Sequence, residues 1–375
     1  MTELSNGRLE MVPGRTHGAA TTLLRLLILL GLLYLFILSI TLLGGAFELA
    51  GKDFVESIFS ATSNPVAGLL IGLLATAIIQ SSSTTTSIIV GLVGSGFLTF
   101  ENAIPMVMGA NIGTTITNLI VSMGHISHTH EFRRAFAGSI VHDFFNLCAV
   151  VVFLPLQVYF NLIGGSAKIV EEIFQGYGGL KFSSPLAAIT KPVADGIIYV
   201  TDGSAWLSAV LAMLLLFAAL RYIVKVMRLM VLARVERFFQ QYIFRTPALG
   251  FVLGIAVTAV VQSSSITTSL MVPLLGAGVV TLSQVYPYML GANIGTTVTA
   301  FLASLVTGST EAVSVAFAHL LFNAYGTALF WPLKVIPINL AKKLASLTET
   351  SKLVPLIYIL ITFFVLPGLI LLVTR

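Results

Sequence analysis

The chain has 375 residues, of which 57% are hydrophobic and only 9% are charged, with a formal net charge of +5. Soluble globular proteins carry about 25% charged residues, so this composition excludes that class and indicates an all-α polytopic membrane protein. The small basic excess is typical of the positive-inside rule, and nucleic acid is not an expected partner. The single cysteine, Cys148, excludes an intramolecular disulfide and a thiolate metal site.

The first half of the chain alternates long apolar runs with short polar ones. Residues 1–21 form a tail that we expect in the cytoplasm, and residues 22–44 are long enough to span the ~30 Å hydrocarbon core. The acidic amphipathic segment 48–60 is expected to lie flat at the interface. Residues 65–100 predict a re-entrant hairpin, because its apolar arms are each too short to span and the polar segment 80–87 separates them.

A discontinuous helix follows the hairpin. The apolar run 102–122 is interrupted by GANIGTT at 109–115, whose glycines allow the backbone to unwind and whose Asn and Thr supply oxygen atoms. A loop with three histidines, interpreted as solvated rather than metal-binding, leads into a long helix over 133–155. That helix carries three polar residues inside an apolar sequence: His142, Asp143 and Asn146.

The central stretch of the chain occurs twice. Residues 80–117 and 262–299 align without a gap at an offset of 182, and 21 of the 38 positions are identical. Gln, Ser, Thr, Asn and Gly recur in both copies, whereas most apolar positions between them differ. Packing alone would retain the opposite set, so the two QSSS motifs and the two GANIGTT motifs are functional candidates.

The second half repeats the plan of the first. Its predicted elements are a span at about 204–227, a basic amphipathic segment at 231–245, a hairpin over 247–280 with 262–269 at its tip, and a helix over 284–304 broken at 291–297. The next helix echoes the histidine and asparagine of the first copy as His319 and Asn323. Asp143 has no echo, because Leu320 occupies its place.

These elements predict two inverted-topology repeats, over 22–160 and 204–333. A connecting loop over 161–203 joins them, and an interfacial segment with a final span follows over 334–375. Each repeat holds an odd number of crossings, which inverts the second copy relative to the first. The flat segment of the first half is acidic and that of the second is basic, so we expect the first outside the cell and the second in the cytoplasm. Substrate sites of inverted repeats form near the bilayer midplane.

The twin motifs suit a sodium ion and an anion. Na⁺ is a hard cation, and hydroxyl and carbonyl oxygens bind it without fixed charge. Helix N-termini and hydroxyl donors suit an oxyanion such as phosphate. Helix packing is the alternative role for Ser, Thr and Gly in membranes, but the recurrence of the polar core in both copies argues against it.

The paired QSSS and GANIGTT blocks, together with FRRAFAGSIVHDFFN at 132–146, resemble the type II sodium-dependent phosphate cotransporters, the solute carrier 34 group and its bacterial relatives. The resemblance implies symport of inorganic phosphate and Na⁺ into the cell by alternating access, and no enzymatic activity. The implied phosphate ligands are Gln80, Ser81, Ser82, Ser83, Ser263, Ser264 and Ser265. The implied Na⁺ ligands are Gln262, Asn111, Thr114, Thr115, Asn293, Thr296, Thr297, Thr299, Asp143 and Asn146.

Asp143 bears on charge movement. An ionisable residue inside a span is a functional candidate, and a third Na⁺ beside divalent phosphate moves one net positive charge inward. In the resembling family, members with aspartate at this position are electrogenic and members with glycine are electroneutral. We therefore expect electrogenic transport.

Several alternatives stay open from the sequence. They are a Na⁺-coupled transporter of another small oxyanion or carboxylate, a passive anion channel, and a membrane hydrolase that uses a serine with His142 or His319. Neither QSSS copy has the glycine context of a nucleophile elbow, which disfavours the hydrolase. The chain lacks the long cysteine-containing loop and the long tails of animal members, so we expect a bacterial inner-membrane protein. A homodimer in the lipid bilayer is an open alternative to a monomer.

Overall fold

The structure, a computed structural model, describes residues 19–176, 185–242 and 246–374. Within these ranges the fold is all-α, and seven helices are long and apolar enough to cross a membrane. They are Leu23–Ala50, Phe100–His125, Thr129–Phe160, Ala205–Met227, Leu282–Thr307, Thr310–Phe330 and Val354–Val373. The prediction of an all-α polytopic membrane protein is confirmed. Most of the predicted tail lies outside the described residues.

The first three helices follow the predicted order. Helix α1 (Ala19–Ala50) is the first span, and it ends at Gly51, whose φ of 84° is in the left-handed region that favours glycine. Helix α2 (Lys52–Thr62) is the amphipathic segment. Its last turns meet α3 (Pro65–Ile79) at 102°, so α2 turns away from the direction of α3.

Each QSSS motif ends one helix and starts the next. In the first copy α3 ends at Gln80 and α4 (Ser82–Gly94) begins two residues later. In the second copy α11 (Pro247–Val261) ends at Gln262 and is followed by α12 (Ser264–Ser269) and α13 (Met271–Gly276). Both glutamines are left-handed, with φ of 58° and 57°. A non-glycine residue in this conformation costs roughly 1–2 kcal/mol, so both copies hold the same strained break.

The second break folds the chain back on itself. The hydroxyl groups of Thr258 and Thr267 lie 2.7 Å apart on either side of Gln262. Nine residues of continuous helix would separate them by about 13 Å along the axis. The polar segment is therefore the tip of a hairpin, as the sequence predicts for 247–280.

The GANIGTT motifs interrupt their helices less than predicted. In the first copy only a turn at Thr114 and Thr115 separates α5 (Phe100–Gly113) from α6 (Ile116–Ser122). In the second copy α14 (Leu282–Thr307) runs through the motif without interruption. The predicted break within 284–304 is therefore wrong, and the break within 102–122 is a single turn.

The glycines of this motif serve close helix packing instead. A Cβ atom on Gly109 would overlap the carbonyl oxygen of Leu69 in α3. A Cβ atom on Gly291 would likewise overlap the carbonyl oxygen of Phe251 in α11. Small residues let membrane helices approach backbone to backbone, and here they hold each GANIGTT helix against the first arm of its own hairpin.

The remaining helices complete the two halves and the C-terminal part. They are α7 (Thr129–Phe160), α8 (Leu162–Gly176), α9 (Pro185–Val200), α10 (Ala205–Tyr242), α15 (Thr310–Phe330), α16 (Val335–Ser346), α17 (Val354–Leu360) and α18 (Leu366–Thr374). The expected span at 204–227 is part of α10, which continues as one helix into the predicted separate basic segment; positions 243–245 lie outside the described residues.

The connection between the halves is more ordered than predicted. The segment 161–203 was expected to be a loop, yet α8 and α9 occupy most of it. The side-chain carbonyl of Gln157 accepts hydrogen bonds from the backbone N–H groups of Ile163 and Gly164, both at 2.9 Å, and so fixes the start of α8. Helix α8 packs against α15, and α9 packs against α1, so the connection is part of the helical body.

The second arm of each hairpin packs against the opposite half, whereas the first arm stays with its own half. Helix α4 of the first half packs against α14 and α15 of the second half. Helices α12 and α13 of the second half pack against α6 and α7 of the first. Each QSSS motif therefore lies between the two halves, with one arm on its own half and the other arm in contact with the opposite half.

Candidate site between the two serine motifs

Both QSSS tips begin a helix in the same way. Ser81 and Ser263 are extended, with φ of −148° and −150°, and each caps the following helix. The Oγ of Ser81 accepts from the N–H of Thr84 at 3.2 Å, and that of Ser263 accepts from the N–H of Ile266 at 3.4 Å. The first N–H groups of a helix have no partner inside the helix, so each tip presents free donors.

The tips contact each other across the halves. The hydroxyl of Ser83 donates to the backbone oxygen of Gln262 at 2.9 Å. Its counterpart Ser265 donates to the backbone oxygen of Thr114, in the turn of the first GANIGTT motif, at 3.4 Å. Four predicted ligand positions, two from each half, are thus brought together in two pairs.

The serine hydroxyls lie inside the protein but close to an accessible position. Ser82, Ser83, Ser264 and Ser265 are buried, whereas the neighbouring Gln80 is exposed. Hydroxyl groups that are shielded from water bind an anion more strongly than exposed ones. Gln80 connects this buried cluster to the surface.

A chain of amides joins the two GANIGTT motifs through α7. His142 Nε2 lies 2.6 Å from Asn293 Oδ1, and the amide of Asn293 donates to Asn146 Oδ1 at 2.9 Å. Asn146 in turn donates to the backbone oxygen of Asn111 at 2.8 Å. Because an amide oxygen only accepts, His142 carries its proton on Nε2. Four buried residues from both halves form one network.

The matching positions of the second half are not networked. The amide of Asn323 donates to the carbonyl of His319 in its own helix at 3.0 Å. Among the described residues, both ring nitrogens of His319 and Oδ1 of Asn323 are buried without a hydrogen-bond partner, whereas His142 lacks one only at Nδ1. The hydroxyls of Thr299 and of its counterpart Thr117 both lack a partner. Buried polar atoms are normally satisfied, so the surroundings of His319 have capacity for water or an ion.

Asp143 is fully buried and bonded by hydroxyl groups. Thr115 Oγ1 lies 2.9 Å from Asp143 Oδ1, and the hydroxyl of Tyr358 donates to Oδ2. The ion pairs found within the described ranges do not include Asp143. A buried carboxylate without a cationic side chain has its charge uncompensated, so a Na⁺ ion beside it would be strongly favoured.

Some predicted Na⁺ ligands bond only within their own helices. The hydroxyls of Thr114, Thr296 and Thr297 donate to carbonyls three or four residues earlier, at 3.0, 3.0 and 2.7 Å. Thr297 is the counterpart of Thr115. It has no carboxylate partner, because the second repeat has Leu320 at the position that corresponds to Asp143. The structure does not assemble these three hydroxyls into one cluster.

Two partners were missed by the sequence analysis. Tyr358 belongs to the final span, which has no counterpart in the other half, so the duplication could not mark it. Its phenol in an otherwise apolar run was the available signal. The second partner is Asn118, whose amide donates to the hydroxyl of Thr268 at 2.8 Å. Thr268 belongs to the repeated stretch, but Asn118 aligns with Ala300 in the second copy, so the repeat did not mark it.

Comparison with known proteins gives one family and several relatives. The Na+/Pi-cotransporter family profile matches residues 35–183 and 214–342. Sodium-dependent phosphate transport protein 2A of Ovis aries is 34% identical over 434 residues, covering 94% of this chain and 68% of that protein. Sodium-dependent phosphate transport protein 2B of Homo sapiens is 32% identical over 442 residues, covering 92% and 64%. The chain thus spans about two thirds of the relatives' length. No solved structure matches.

The amide network predicts a difference between two repeat counterparts. Asn146→Ala removes bonds to Asn293 and Asn111, whereas Asn323→Ala removes only a bond within one helix. We expect Asn146→Ala to lower the free energy of unfolding by ~1–3 kcal/mol, because it leaves buried partners unpaired. Asn323→Ala should cost less than half of that. Thermal unfolding of the purified proteins in one detergent measures both, and equal destabilisation would contradict the asymmetry.

Proposed function

The chain belongs to the Na+/Pi-cotransporter family, and on that premise we propose that it is a secondary active transporter that couples Na⁺ entry to the uptake of inorganic phosphate. It is a multi-pass membrane protein, and its family is one of transporters rather than enzymes. One observation carries the site: the hydroxyl of Ser83 in one tip bonds the backbone of Gln262 in the other at 2.9 Å.

We place the phosphate between the two tips. Its oxygens would accept from the serine hydroxyls and from the free N–H groups at the starts of α4 and α12, and the helix dipoles favour an anion there. Ser83 and Ser265 each donate to a backbone carbonyl of the opposite half, so both can turn their hydroxyl protons toward a bound anion. The amides of Gln80 and Gln262 add donors at the rim of the same space.

Sodium is proposed to bind beside the phosphate. The backbone oxygens of Gln262 and Thr114 already lie at the tips, and they are uncharged hard ligands. A cation and an anion that bind side by side lower each other's desolvation cost, which couples their occupancy. A further Na⁺ is proposed near Asp143, where Thr115 and Tyr358 supply hydroxyl oxygens.

Alternating access would move the halves relative to each other. Ser83 and Thr114 belong to the first half, and Gln262 and Ser265 belong to the second, so a motion that separates these residues would break both hydrogen bonds and open the proposed site. The acidic charge of segment 48–60 and the basic charge of segment 231–245 support an inverted second repeat, a cytoplasmic N terminus and a site near the bilayer midplane. A bacterial inner membrane remains the proposed location.

The coupling is tested by radiolabelled phosphate uptake into proteoliposomes. We expect accumulation above the external concentration only with an inward Na⁺ gradient, because the uncharged oxygen-rich tips hold the anion only with a cation beside it. Unlabelled sulfate and a dicarboxylate as competitors test the anion preference. Equal uptake when K⁺ replaces Na⁺ would contradict the proposal and favour a channel.

The shared site predicts equal importance for two serines. Ser83→Ala and Ser265→Ala should each lower phosphate uptake about tenfold or more, since a hydrogen bond to a charged group contributes ~1.5–3 kcal/mol. Ser87→Ala is the matched control, because the hydroxyl of Ser87 donates only to the carbonyl of Ser83 in its own helix. Wild-type transport by either tip variant would show that the tips do not share one site.

Electrogenic transport is predicted from the charge of Asp143. An inside-negative potential, set with valinomycin and a K⁺ gradient, should accelerate wild-type uptake. Asp143→Gly and Asp143→Asn should lose this acceleration and retain some uptake, because the counter-charge for the additional Na⁺ is gone. Tyr358→Phe keeps the carboxylate and should keep the voltage dependence. Wild-type uptake that ignores the potential would overturn the prediction.

A further inference from the structure

A basic cavity lies away from the serine tips, at the end of the bundle where α7 begins. Its volume is about 520 Å³, and its walls come from α7, the turn between α13 and α14, and α16. The cationic and hydroxyl side chains that line it are Arg133, Arg134, Thr281, Ser283, Lys342 and Ser346. The cavity therefore joins the first half, the second half and the C-terminal part of the chain.

The positive charge of this cavity is only partly compensated. Arg133 pairs with Glu349, but the ion pairs of the described residues include neither Arg134 nor Lys342. Arg134 is held in place by a neutral acceptor, since its Nε and Nη2 both donate to the carbonyl of Gly276, at 2.9 and 2.6 Å. None of the described lining residues is an aspartate or a glutamate. Arg134 and Lys342 thus line the cavity without an acidic partner among the described residues.

The guanidinium of Arg134 is also positioned sterically. Gly278 has a φ of 74°, and a Cβ at this position would lie 3.5 Å from the guanidinium carbon of Arg134. The turn therefore accommodates the arginine closely and holds it at the cavity wall. A preoriented arginine loses little freedom when it binds a phosphate group through its remaining N–H donors.

The rest of the wall is apolar. Ala137, Leu275, Val280 and Leu282 line the cavity beside the cations and hydroxyls. Helix α7 starts and α16 ends at this cavity, so it lies where the spans meet the membrane surface. A ligand that matches both the cationic and the apolar parts of the cavity has an anionic phosphate head and an apolar remainder.

We propose that this cavity binds the headgroup of an anionic phospholipid. Basic pockets between spans at a membrane surface bind such headgroups, and the apolar wall accommodates the glycerol and the upper acyl chains, which a free phosphate ion lacks. The bound lipid holds α7 against the α13–α14 turn and α16, and so stabilises the contact between the halves. This role is separate from transport chemistry at the serine tips.

The test measures lipid binding rather than transport. The purified protein in neutral detergent is titrated with phosphatidylglycerol or phosphatidylcholine, and the melting temperature and native mass spectra are recorded. Phosphatidylglycerol should raise the melting temperature and remain bound, and phosphatidylcholine should do neither. Lys342→Ala should weaken phosphatidylglycerol binding about fivefold, which corresponds to ~1 kcal/mol per basic residue near an anionic lipid surface.

The matched control is Lys343→Ala, which removes the next lysine of the same helix, one that does not line the cavity. Its binding of phosphatidylglycerol should equal that of the wild type, and Lys342→Arg should restore binding. Equal loss in Lys342→Ala and Lys343→Ala would overturn the proposal in favour of diffuse surface charge. Stabilisation by inorganic phosphate but not by phosphatidylglycerol, lost in Lys342→Ala, would also overturn it, because the cavity would then bind the free anion.

Discussion

The hydrogen bond from Ser83 to the backbone of Gln262 shows the constraint on which this structure depends. In hydrocarbon every backbone polar group must find a partner inside the protein, so a helix broken at membrane depth needs partners for its freed groups. Here the chain breaks at two left-handed glutamines, and each following helix is capped by a serine. The freed carbonyl of Gln262 is satisfied by the opposite hairpin. The second break is therefore completed by a residue of the first half.

This dependence links the fold to the proposed function. A site whose walls belong to two bodies is assembled when the bodies meet and is lost when they separate. Gly109 and Gly291 let the first arm of each hairpin pack closely against its own GANIGTT helix. Among the described residues a single hydrogen bond, from Ser83 to Gln262, joins the two tips, which suits a contact that would form and break during the proposed transport.

The two copies have diverged where charge and polarity matter. Asp143 bonds Thr115 and Tyr358, whereas its counterpart Leu320 leaves Thr297 bonded to its own helix. In the first copy His142 and Asn146 belong to an amide network, although Nδ1 of His142 has no hydrogen-bond partner, whereas in the second copy both ring nitrogens of His319 lack one. The interior is therefore asymmetric, with a buried carboxyl group in one repeat and a neutral side chain at the same position of the other.

The sequence predicted what polarity determines, and it failed where packing decides. The QSSS breaks were predictable because polar residues separate apolar runs that are too short to span the membrane. The seven spans were predictable because their apolar runs are long enough to do so. The uninterrupted α14 was not predicted, because glycine permits both unwinding and close packing and only the neighbour α11 decides between them. The helices within 161–203 were missed since their stability comes from contacts with α15 and α1. The site contacts between halves depend on the same tertiary packing.

The central claim is that one phosphate ion contacts both serine tips. A cryo-EM map of the protein in lipid nanodiscs, with saturating Na⁺ and phosphate, tests it most directly when compared with a map in K⁺ without phosphate. We predict phosphate density within about 3 Å of serine hydroxyls from both Ser81–Ser83 and Ser263–Ser265, the separation of a charge-assisted hydrogen bond. Phosphate density that contacts only one tip, or that lies elsewhere in the protein, would contradict the account.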